Sequence, residues 1–115
     1  MPHVIRSGRV DLEQAWRAFP LGPWRWGNAV AKVEGRYLGH EVRSLLISGV
    51  VVEFGRPIHP VVVISHNPTG TAFHLWPGAP VERTEAVKRF LAQVAREAMA
   101  FGCGEVVQTN LPELV

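Results

Sequence analysis

Cysteine occurs once, at Cys103, and that scarcity excludes an internal disulfide and any metal site built from several thiolates. Lysine stands only at Lys32 and Lys88, so ten of the twelve cations are arginine. Long apolar runs are missing as well. The longest, Leu45 to Val52, is broken by Ser48 and Gly49 and falls far short of the ~20 residues of a membrane span. Pro2, His3, Arg6 and Arg9 precede any apolar stretch, so no signal peptide is visible. Internal repeats and low-complexity segments are absent. These absences predict a cytoplasmic protein without a membrane anchor.

What is present fits one globular domain over residues 1–115: 47% hydrophobic and 19% charged residues are ordinary for a packed core. The net charge of +2 is too small to argue for a polyanion partner by itself. Its distribution says slightly more, because the cations outnumber the anions in residues 1–43 and not beyond. Arginine suits fork-shaped carboxylate or phosphate contacts.

The centre of the chain is 42–66, two apolar, β-branched runs joined across a Gly and two prolines, which reads as neighbouring strands. Before it, Asp11 with Gln14 resembles a capping box, and Leu12, Ala15, Trp16 and Phe19 recur at helical spacing until Pro20 stops them. Residues 28–38 alternate as a half-buried strand. A turn at Gly39-His40 leads into a strand over 41–54. Gly55 to Pro60 makes a wider turn into 61–66, and a last turn leads to 71–76. Val87, Phe90, Leu91, Val94, Ala95, Ala98 and Met99 form one face of a long helix that Gly102 ends. Residues 103–115 read as a short strand or tail. The expected fold is α+β: a four-stranded antiparallel meander with a short N-terminal helix and a long C-terminal helix packed on the sheet.

Turn lengths predict which residues share a face. Ala29, Ala31, Val33, Tyr37, Val42, Leu46, Val50, Val52, Val61, Val63, Ala72, His74 and Trp76 form a first face, assigned to the long helix for its small residues. Leu45, Ile47, Val51, Val62, Ile64, Phe73 and Leu75 fall on the second. A water-facing side does not carry that composition, so these seven are expected to form a self-association face.

Several residues invite chemistry. His66 and His74 are the obvious histidine pair but point to opposite faces of one hairpin, and no HExxH-like or Cys/His spacing exists. No metal is expected. The Asn-Pro-Thr-Gly string at 67–70 is similar to one in large pyridoxal-phosphate aminotransferases, yet type I turn preferences explain it without a cofactor. No cofactor is expected. No Gly-rich strand-to-helix loop is present for phosphate, and Cys103 has no histidine near it in sequence. Trp24, Arg25 and Trp26 resemble a stacking platform for single-stranded nucleic acid; plugs of the sheet edge beneath the first helix are the plainer reading. Arg36 and Arg43 fall opposite each other in the expected hairpin, where an anion between them would relieve repulsion, unless Glu34 and Glu41 already do so.

Three functions follow in order. First comes a non-catalytic homodimeric interaction module. Second is a nucleic-acid-binding domain using Trp24, Arg25, Trp26, Arg36 and Arg43. An enzyme of unknown reaction is third.

Overall fold

The computed structural model describes residues 2–39 and 43–115. It contains strands β1 (His3–Gly8), β2 (Trp24–Trp26), β3 (Ala29–Leu38), β4 (Ser44–Glu53), β5 (Arg56–Ile58), β6 (Val61–Asn67), β7 (Gly70–Leu75) and β8 (Cys103–Thr109). Helix α1 spans Leu12–Ala18, and α2 spans Glu85–Glu97 and runs on into a 3-10 turn, Ala98–Phe101. All eight strands join one antiparallel sheet in the order β2-β3-β4-β6-β7-β1-β8, with β5 beside β4. The expected four-stranded meander is thus corrected to an eight-stranded, strongly curled half-barrel with two helices.

The local signals in the helices hold. The Asp11 side chain accepts from the Gln14 N–H and caps α1, satisfying one of the otherwise orphaned donors of the first turn. Thr84 does the same for α2 through the Val87 N–H. Gly102 closes the 3-10 turn at φ 115°, a left-handed conformation that glycine adopts without Cβ strain.

The additional strands come from pairings distant in sequence. β1 lies between β7 and β8. β7 and β8 both run antiparallel to it and are therefore parallel to each other, so α2 is a crossover connection between them. β2 and β5 have three residues each, and β5 contains Pro57; segments so short become strands only through a partner. The expected wide turn at 55–60 is instead a two-residue hairpin at Phe54-Gly55, because Glu53 pairs with Arg56. Phe54 therefore does not face Val61, which pairs with Ser48. The expected turn at Gly39-His40 lies partly outside the described residues, and Val42 lies outside them.

The register decides the faces. Leu45 pairs with Ile64, Ile47 with Val62, Ile64 with Phe73, and Val62 with Leu75, so the seven residues of the expected second face do share one side. That side is the core. Leu45, Ile47, Val51, Val62, Ile64 and Phe73 are fully buried, and Leu75 nearly so. Both helices pack there: α1 on β3 and β4, α2 on β4, β7 and β1. The expected self-association through these seven residues is corrected accordingly, since the chain's own helices cover them.

A bulge explains the mistaken helix placement. Val33 pairs with Gly49, but Gly35 pairs with Ser48, so one extra residue in β3 inverts its parity. Ala29, Ala31 and Val33 therefore join Ile47 and Val51 beneath the helices, while Tyr37 faces the other way with Leu46. Ala29 and Ala31 do lie on the helix-covered side, where α1 packs on β3, while Ala72 stays on the uncovered one.

Candidate functional site

With both helices on the inner face, the outer face of the sheet is left without a covering layer among the described elements. Alternation and register give its members: Ser44, Leu46, Ser48, Val50 and Val52 on β4, Val61, Val63, Ser65 and Asn67 on β6, Ala72 and His74 on β7, His3, Ile5 and Ser7 on β1. No Asp, Glu, Lys or Arg points outward from β4, β6, β7 or β1. Charge lies at the margins, at Lys32 of β3 and Arg25 of β2 on one side and at exposed Glu105 of β8 on the other. Val52 keeps 36% and Trp76 42% of their surface exposed. A half-wet antiparallel sheet ordinarily alternates apolar inside with polar outside. This one has an apolar, uncharged band on its wet side, unlike most protein surface.

The residues singled out for an anion or nucleic acid are not gathered into one site. Trp24 pairs with Ala31 and Trp26 with Ala29, which turns both rings toward the inner face, while Arg25 between them points out. Trp24 packs on Phe90 of α2, ring centroids 6.5 Å apart. The inward rings fit a plug at the sheet edge, but Trp24 meets the long helix α2 rather than the first helix expected. They do not fit a stacking platform formed with Arg25.

Arg36 pairs with Ile47, not with Arg43, because the loop before β4 is longer than a tight turn. Gly39 already bonds the Ser44 carbonyl. The Arg36 guanidinium donates through Nη1 to the carbonyls of Arg17 at 3.2 Å and Phe19 at 3.1 Å. Those are carbonyls at the end of α1, where the helix dipole and unused acceptors favour a cation. Trp16 Nε1 in turn donates to the Arg36 carbonyl at 3.2 Å. A cleft of about 350 Å³ opens here, lined by Trp16, Arg17, Leu21, Glu34, Gly35 and Arg36. Arg17 is occupied by Glu13 at 2.7 Å, and Glu34 by His59 at 3.1 Å. Its charged groups hold the wall together.

Beneath β8 lies a pairing that the sequence did not announce. Arg6 is 5% exposed, donates to the Gly104 carbonyl at 2.8 Å and leaves Nε without a partner. Burial pushes its pKa down, offset by the nearby Cys103 and reinforced by Arg96. Burial pushes the Cys103 thiol up, with Arg6 opposing. A buried thiol held in its neutral form is a packing group rather than a nucleophile.

The histidines divide as expected. His66 pairs with Thr71 on the inner face, and its Nε2 lies 2.7 Å from the Val10 carbonyl. His74 points outward, directly opposite His3. Among the described residues, no group of three or more His, Cys, Asp or Glu side chains gathers to hold a metal, and no helix is long and apolar enough to cross a membrane. No family model, curated protein or solved structure matches the chain.

Proposed function

We propose that this chain is a non-catalytic interaction module that pairs with a second copy of itself through the outer face of its sheet. The observation that carries the reading is the uncharged apolar band across β4, β6, β7 and β1. A nucleic acid or a charged peptide would be met by complementary charges, and this band offers none. An uncharged band is complementary to another of its kind. A two-fold contact supplies that partner, because one patch then buries its own copy. The nucleic-acid alternative draws less support, since Trp24 is engaged with Phe90 and Arg36 with the end of α1.

Light scattering at high micromolar concentration tests the proposal. The wild type is expected to show twice the chain mass of 12.7 kDa. Val50→Glu, on the outer face, is expected to give one chain mass with an unchanged circular-dichroism spectrum. Ile47→Glu, at a fully buried position, is expected to unfold the chain instead. A wild-type mass of one chain overturns the reading.

A further inference from the structure

We propose that His3 and His74 form a two-imidazole site for a divalent zinc-class cation on the outer face of the sheet. The two residues are direct cross-strand partners on β1 and β7. Side chains in that relation leave the same face with Cβ atoms about 4.5–5.5 Å apart. Two imidazole nitrogens can then converge on one ion at the usual zinc–nitrogen distance of about 2.0–2.1 Å.

The surroundings favour capture. β7 and β1 are interior strands, flanked by β6 and β8, so the ladder holds the pair in place before the ion arrives. The His3 backbone is tied on both sides: its N–H donates to Asn110 Oδ1 at 2.9 Å, and its carbonyl accepts from Thr109 Oγ1 at 2.7 Å. Val63 of β6, Ala72 of β7 and Ile5 of β1 are aliphatic neighbours on the same face.

With two protein ligands the site is open in the single chain, and water fills the remaining positions there. Imidazole nitrogen without thiolate or carboxylate suits zinc and its late first-row neighbours over magnesium or calcium. The site lies within one chain and does not depend on the self-association proposed above.

The test is isothermal titration of zinc sulfate into the tag-free protein at pH 7.5. The wild type is expected to bind, and the Val50→Glu chain to bind equally. His3→Ala and His74→Ala are each expected to weaken binding at least tenfold, while His59→Ala leaves it unchanged. His74→Asn, which keeps a polar side chain of similar size, provides the same loss if the alanine variant folds poorly. Binding is expected to fall as pH drops through the imidazole range. No uptake by the wild type, undiminished binding in both variants, or loss in only one of them overturns the site.

Discussion

The ring of Phe90 occupies the space above Gly49 in which any larger residue's side chain would begin. Gly49 stands on β4 opposite Val33, immediately before the β3 bulge, and Phe90 is fully buried on the face of α2 that meets the sheet. The glycine thus sets how closely the long helix approaches. Gly49→Ala is expected to destabilise the fold by about 1–3 kcal/mol, the usual range for overpacking. Urea denaturation reads the change. Combined with Phe90→Leu, the alanine is expected to cost less than the two substitutions apart, because the smaller side chain relieves the overlap. Additive losses would show that the Lys32 carbonyl, 2.9 Å from the same point, rather than Phe90, bars a larger residue.

Arg36 illustrates a cation engaged by the protein's own backbone. Losing its two carbonyl contacts in Arg36→Ala is expected to cost on the order of 1–2 kcal/mol, for a charged donor at a partly wet helix end. Lysine is expected to recover only part of this, since it lacks the planar fork. The loss should be the same with and without sulfate. A sulfate-dependent difference in melting temperature between wild type and variant would return Arg36 to the role of an anion ligand.

Phe54 is 77% exposed at the tip of the β4–β5 hairpin and sits at φ 52°, with Gly55 at φ 76°. Two positive-φ residues in succession suit the two-residue turn, and asparagine before glycine is the preferred pair. A bulky side chain in that region is strained by about 1–2 kcal/mol. Phe54→Asn is therefore expected to raise the melting temperature by a few degrees, on the order of 4 °C per kcal/mol for a domain of this size. A lower melting temperature means that the Phe54 ring contributes packing that outweighs the strain.

His74 makes stability pH-dependent on the acid side. Its pKa is lowered in the folded state, first by burial and then by His3. Below the ordinary value of 6.5 the unfolded chain binds the proton more readily, so stability is present above that pH and is lost as pH falls through the folded pKa. Chemical denaturation between pH 7.5 and 5 should show wild type losing stability more steeply than His74→Asn. Parallel profiles would contradict the assignment.

Much of this protein was determined by its sequence through signals that act over a few residues. Asp11 with Gln14 marks the start of α1, the apolar spacing from Val87 to Ala98 marks the buried side of α2, and Gly102 marks its end, because caps and periodicity are local physics. The grouping of Leu45, Ile47, Val51, Val62, Ile64, Phe73 and Leu75 on one side was equally legible, since a strand alternates with a period of two. What covers that side was not. One extra residue beside Gly35 inverts β3, and nothing in the composition of residues 28–38 reveals it. β1 enters the sheet only by pairing residues 3–6 with 71–74 and residues 4–8 with 103–109, contacts whose partners lie some 65 to 105 positions away. β2 and β5 are too short to form without a neighbour. Only the tertiary structure decided that both helices share a face, because that choice depends on how separate segments meet, and with it moved the uncharged surface from the core side of the sheet to the side that faces water.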